Sequence, residues 1–121
     1  MARIFLDTNT FIDINERRDP ELLELLVNCS LYISVISIGI WAYIYKRTVP
    51  SPSFAKLADT FNLVDVTEDI ATKSFLGPTN DFEDNVQLHS ASEANCTVFI
   101  TKDQKLLKLR FFGKVRICST L

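Results

Sequence analysis

At 121 residues, 47% of them apolar, the chain has length for one sizeable core but not for two. Its net charge of −2 excludes an overall positive field that would draw it to nucleic acid. Glycine and proline are few and nothing is low-complexity, which excludes a disordered or fibrous protein. Cys29, Cys96 and Cys118 are odd in number and lack CxxC or His-paired spacing, so they read as buried free thiols and not as a disulfide framework or a zinc site. His89 stands alone and reads as an ordinary helix residue.

The opening MARIFLD reaches Asp7 after a short apolar run, without the length or flanks of a signal or transit peptide. The longest apolar stretch, Tyr32 to Tyr45, is too short to span a bilayer, so a cytoplasmic protein with no membrane segment is expected. Ile4-Phe5-Leu6 predicts a buried strand that stops in the polar turn Asp7-Thr8-Asn9, placing Asp7 at its carboxyl end. Helices are predicted over Phe11 to Arg17 and from Pro20 through Val27, then a strand over Leu31 to Ser34.

Ile36 to Arg47 is apolar almost all round, so its helix needs cover on more than one side, and Trp41, Tyr43 and Tyr45 suit either a partner surface or the core. After Pro50 and Pro52, the apolar residues Phe54, Leu57, Ala58 and Phe61 recur at the spacing of an amphipathic helix. Leu63 to Val66 predicts a strand, and Thr67 can cap a helix over Glu68 to Phe75. Beyond Gly77-Pro78, Asn80 or Asp81 can cap a helix reaching to the region of Asn95, with Glu83 and Asp84 in its first turn. Thr97 to Ile100 is a strand stopped by Thr101-Lys102-Asp103; a short helix and a last strand near Lys114 to Ile117 follow.

Short strands alternating with helices imply an α/β fold of βαβ units, with a parallel sheet whose strands are buried on both faces. In such sheets ligands bind outside the carboxyl ends of the strands, near a switch in strand order. Asp7 and Asp103 both occupy strand carboxyl ends. Charge is uneven as well: Asp59, Asp65, Glu68, Asp69, Asp81, Glu83 and Asp84 face only Lys73, whereas Lys102, Lys105, Lys108, Arg110, Lys114 and Arg116 face only Asp103. An acidic centre beside a basic flank is what a metal-dependent enzyme acting on a polyanion needs; two solvated faces are the plainer explanation.

Each acid also has a plain structural role, Asp7 and Asp103 as helix caps and Glu83 and Asp84 as partners of a helix dipole. Their joint placement is harder to dismiss. Carboxylates brought together repel, so a pocket holding Asp7, Asp84 and Asp103 needs a cation or shifted protonation. An all-oxygen site of this kind suits Mg²⁺ or Mn²⁺, which polarises a phosphoryl oxygen and lowers the pKa of a bound water.

IFLDTN at the start, YISVISI in the middle, DFEDNVQ opening a late helix and VFITKD after the last strong strand resemble, in this order and over essentially the whole chain, the PIN domain family. The resemblance implies a three-layer α/β/α sandwich with a central parallel sheet of about five strands, in a single domain over residues 1–121. It also implies metal-dependent ribonuclease activity. Small members look most like VapC-type toxins of type II toxin–antitoxin modules, often homodimers neutralised by an antitoxin, with RNA as substrate. By position, Asp7, Asp84 and Asp103 match the family's acids and are the expected catalytic residues and ligands of Mg²⁺ or Mn²⁺. Thr8, Asn9 and Thr101 fall where the family places polar groups around the metal-bound water. Gln87 lies one turn beyond Asp84 and can reach the pocket rim; Glu83 and Asp81 are further candidates, Asp81 chiefly as a cap. Lys46, Arg47 and Lys102 are candidates for contacts to flanking phosphates.

The departure lies at the family's second acid, a Glu early in the helix after the second strand. SVISIGIW puts Ile40 there, and no Asp or Glu occurs between Glu24 and Asp59. An isoleucine can neither ligate nor orient water, which leaves fewer ligands for a second ion. It motivates an alternative, a catalytically impaired PIN-like domain that binds RNA or a protein. A Rossmann-type or phosphate-cradling domain is disfavoured because the chain has neither GxGxxG nor GxxxxGK.

Overall fold

In the computed structural model, which describes all 121 residues, the first apolar run forms β1 (Arg3–Leu6), with Ile4, Phe5 and Leu6 fully buried. It lies between β2 (Ser30–Ser34) and β4 (Val98–Ile100), parallel to both, in registers that set Phe5 beside Tyr32 and Phe99. β3 (Asn62–Val64) extends the sheet beside β2, and β6 (Val115–Cys118) extends it beside β4, again parallel. β5 (Phe111–Phe112) pairs antiparallel with β6, giving the order β3-β2-β1-β4-β6-β5. The five parallel strands are those expected. The sixth is two residues long, too short for an alternating pattern to mark it in the sequence.

Parallel neighbours require crossovers. α1 (Thr8–Ile12) runs into a π-helical stretch over Asp13–Arg17, and α2 (Pro20–Asn28), capped by Asp19, completes the passage from β1 to β2. α3 (Val35–Ile44), capped by Ser34, and the short α4 (Pro52–Ala55) and α5 (Leu57–Thr60) lead to β3. These helices cover the face that carries Ile4, Leu6, Leu31, Ile33 and Ile100, packing Phe11, Trp41 and Phe61 onto it. α6 (Glu68–Ser74) and α7 (Phe82–Glu93) then return across the sheet to reach β4. On their side Phe5, Phe99 and Ile117 pack with Leu88 and Ala91, joined by Leu106 of α8 (Gln104–Leu107). The period-two alternation of β1 thus sends Ile4 and Leu6 into one core and Phe5 into the other, which is the expected three-layer α/β/α sandwich. Phe5 and Phe99 stack with centroids 5.4 Å apart. Burying each such side chain contributes roughly 1.5–3 kcal/mol, so this pair alone does much to fix β1 against β4.

Two expectations change. The helix read over Phe54 to Phe61 breaks at Lys56, where the backbone turns so that Phe54 meets Trp41 and Phe61 meets Phe11, leaving Ala58 exposed. The outer strands are not buried on both faces: Leu63 is 41% exposed on edge strand β3, and β6 alternates buried with open positions. The aromatics of α3 divide between the two roles foreseen, with Trp41 buried and Tyr43 86% exposed. The three cysteines are free, and burial pushes the Cys96 thiol up to about 12, which makes it unreactive. No helix is long and apolar enough to cross a membrane.

Candidate active site

The chain moves outward from β1 through β2 and β3, then returns to lay β4 on the other side of β1. A switch of this kind opens a crevice at the carboxyl ends of the two central strands. Asp7 follows β1 and Thr101 follows β4, and the two meet there. Asp7 N donates to Ile100 O at 3.2 Å, and Thr101 Oγ1 donates to Asp7 Oδ2 at 2.5 Å. Asp7 Oδ1 accepts from Thr10 N at 2.8 Å, so the residue also caps α1. Burial raises the Asp7 pKa, the bonds from Thr101 and Thr10 hold it down, and the charge of Asp103 raises it further.

The other acids arrive on α7 and α8. Asp81 Oδ1 accepts from Asp84 N at 2.9 Å, capping α7 and fixing Glu83 and Asp84 in its first turn. Asp103 Oδ1 accepts from Lys105 N at 2.8 Å, and Asp103 N donates to Thr101 Oγ1 at 3.0 Å, which ties this cap back to Asp7. Asp81, Asp84, Asp103 and Lys105 share the wall of a cleft of about 310 Å³. Asp84 is pushed up to about 6, first by burial and then by the charges of Asp81, Asp103, Glu83 and Asp7. Burial and one another's charge thus act on Asp7 and Asp84, while Asp7, Asp81 and Asp103 also cap helices.

Around them lies a buried polar network centred on Thr8. Gln87 Oε1 accepts from Thr8 N at 2.9 Å, and Thr8 Oγ1 meets Ser37 Oγ at 2.8 Å and Glu83 Oε1 at 3.3 Å. Gln87 Nε2 also donates to Glu83 Oε1 at 3.4 Å, and burial raises the Glu83 pKa. α1, α3 and α7 are joined through these atoms. Ser37 was not singled out by sequence, because a hydroxyl inside an apolar run carries no periodic signal. Nor was Asn85, whose buried amide accepts from Thr79 N at 2.9 Å and donates to Ser74 O at 2.9 Å, anchoring the loop ahead of α7. Asn9 is exposed beside this network, and Ile40, one turn beyond Ser37, is half-buried.

The basic candidates scatter. Lys102 reaches Asp19 at 3.5 Å and Asp13 at 3.9 Å. Lys46 and Arg47 stand at the far end of α3, with Arg47 ion-paired to Glu16. As to a metal, the donors are all oxygen, and mutual repulsion among Asp7, Glu83, Asp84 and Asp103 is what a hard divalent cation relieves. No three Asp, Glu, His or Cys side chains are drawn tightly enough to grip an ion on their own. The donor chemistry suits a hard divalent cation, which would need these carboxylates to draw closer or waters to bridge them.

A PIN domain family model matches residues 3–105. The chain belongs to the PIN domain family. Solved structures similar to this PIN domain include VapBC2 from Rickettsia felis bound to a promoter DNA fragment, at 14% identity and a TM-score of 0.67, over 97% of this chain and 98% of that one. A toxin–antitoxin complex from Klebsiella pneumoniae aligns at 22% identity and a TM-score of 0.66, over 95% of each chain. VapC20 from Mycobacterium tuberculosis, a sarcin–ricin loop cleaving toxin, aligns at 16% identity and a TM-score of 0.66, over 93% of this chain and 98% of that one. At such identities the likeness establishes the fold. Among curated proteins none matches the sequence.

Within this PIN domain the cap on α7 can be tested apart from the chemistry. Asp81→Ala should lower the unfolding free energy by about 1 kcal/mol in urea, through loss of the bond to Asp84 N. The same change removes a charge that raises the Asp84 pKa, so the Asp84 titration followed by NMR should move below about 6. An unmoved titration would show that Asp81 does not act on Asp84.

Proposed function

We propose that this PIN domain is a divalent-metal-dependent endoribonuclease, the toxin of a toxin–antitoxin pair, hydrolysing RNA phosphodiesters in the crevice between β1 and β4. The observation that carries this reading is Asp7, buried and held by Thr101 and Thr10, with the charges of Asp103 and Asp84 acting across the same crevice. Support comes also from the similar structures, one of which is a toxin–antitoxin complex and another a sarcin–ricin loop cleaving toxin.

Asp7, Asp84 and Asp103 would hold Mg²⁺ or Mn²⁺, which when bound supplies Lewis-acid polarisation of a phosphoryl oxygen and acidifies water. The protein's own contributions are positional and acid–base. Thr101 fixes the rotamer of Asp7, and Gln87 with Thr8 fixes Glu83. Glu83, outside those three acids and anchored by Thr8 and Gln87, is the acceptor for the proton that leaves the attacking water. Lys105, on the cleft wall beside Asp84 and Asp103, is placed to meet a substrate phosphate. A homodimer neutralised by an antitoxin, in the cytoplasm, belongs to the same reading; exposed Tyr43, Ile44 and Val49 supply apolar surface for association.

Half-buried Ile40 favours one second reading, a PIN domain that binds RNA or a protein without cutting. Incubating the purified protein with RNA under EDTA, Mg²⁺ or Mn²⁺, beside an Ile40→Glu variant, separates them. Cleavage that needs the ion and rises several-fold in the variant identifies a nuclease with a weakened four-acid site. Absence of cleavage by either protein with either ion would establish the binding module.

A further inference from the structure

The largest cleft in the molecule, about 500 Å³, lies away from the carboxylates, between the π-helical stretch, the end of α3 and the segment leading into α4. Trp41 forms its floor, wedged against Phe11 edge-on and Phe54 at 5.2 Å. Glu16 Oε1 accepts from Trp41 Nε1 at 2.7 Å and ion-pairs with Arg47, whose guanidinium lies 5.4 Å from the Trp41 ring centroid. Arg47 is thereby positioned with one nitrogen on Glu16 while its side chain stays 46% exposed, which leaves further donors facing outward. Tyr45 offers a part-exposed ring at the rim. The buried amide nitrogen of Asn15, also a lining residue, has no hydrogen-bond partner within the protein.

Lys46 completes the mouth in an unusual way. It ends α3 in the left-handed conformation, φ 50°, while Arg47 N donates to Ala42 O at 2.9 Å. Glycine or asparagine takes that position at lower cost, and a lysine there bears roughly 1 kcal/mol of backbone strain. The turn sets two adjacent cations against the single acid Glu16 on a stretch that otherwise has no carboxylate. An anion with a flat, hydrogen-bonding ring matches these walls; a basic peptide does not.

On the reading of this chain as a ribonuclease, we propose that the cleft is a nucleotide subsite for the RNA strand: a base lies against Tyr45 and its phosphate rests on Lys46 and Arg47. Ser37 touches Thr8 at the acidic end of α3, and Tyr45 stands about 12 Å further along the helix. The carboxylates and this cleft thus lie at opposite ends of α3.

Trp41 is the only tryptophan, so its fluorescence reports on the cleft directly. Titrating the protein in EDTA with nucleoside 5′-monophosphates should give a saturable change, with nucleoside or inorganic phosphate alone binding about tenfold more weakly. Lys46→Asn keeps the left-handed turn but removes the charge, and Tyr45→Leu removes the stacking face. Each should weaken nucleotide binding about fivefold or more. The proposal is overturned by no saturable response, by phosphate matching the nucleotides, by affinities unchanged in both variants, or by a response to an acidic peptide alone. Because neither metal nor cleavage is needed, a silent Trp41 in a protein that cuts RNA overturns the subsite only. Nucleotide binding in a protein that cuts nothing upholds the cleft and removes the ribonuclease reading.

Discussion

Asp7→Asn is expected to reduce RNA cleavage by more than about a hundredfold while leaving the protein at least as stable at neutral pH. The substitution keeps the geometry. Asparagine caps a helix about as well as aspartate, so Thr10 N retains its acceptor. The Thr101 hydroxyl, now donating to Asp7 Oδ2, can rotate to accept from an amide instead. The charge is lost together with the acceptor for the Thr101 proton, and burial already disfavours that charge in the folded state, which offsets the lost bond. Activity and stability should therefore separate, as read by RNA cleavage with Mn²⁺ and by urea denaturation. Losing both together would mean that Asp7 is a structural residue whose removal unfolds the site.

The second large effect concerns Asp84 and has a definite sign. Its folded pKa is raised from 3.8 to about 6, so between those values the folded protein holds a proton that the unfolded chain has released. Stability from this group is fully present below 3.8 and is lost as pH rises through about 6. Solvent still reaches the carboxylate, so the loss is discounted to about 1 kcal/mol, equivalent to roughly 3–6 °C in Tm for a domain of this size. Asp84→Asn should exceed wild type by that amount near neutral pH and match it in acid. Mn²⁺ should close the gap by stabilising wild type alone. Thermal melts across this range check the claim, and superimposable curves for the two proteins would refute it.

Much of this was legible because the informative features are local. A strand that stops in a polar turn is visible in IFLDTN and again in VFITKD, and the parallel βαβ pattern alone places both ends at one edge of the sheet. The cap at Asp81 follows from its position ahead of an acidic first turn. What escaped depends on contacts distant in sequence. Ser37 matters because Thr8 of α1, itself bonded to Glu83 of α7, reaches it across the fold. The break at Lys56 follows from the separate demands of Trp41 on Phe54 and Phe11 on Phe61, which periodicity cannot express. β5 exists only as an antiparallel addition to β6. The phosphate contacts assigned to Arg47 and Lys102 could not be weighed without knowing that Glu16, Asp13 and Asp19 lie beside them.

The convergence of Asp7, Asp84 and Asp103 on one cation is tested most directly by calorimetric titration of Mn²⁺ into the purified protein near neutral pH. Wild type should show saturable binding, weakened more than about tenfold in Asp84→Asn and in Asp103→Asn. No heat from wild type, or equal binding by all three proteins, would show that the carboxylates at the ends of β1 and β4 are helix caps and dipole partners only.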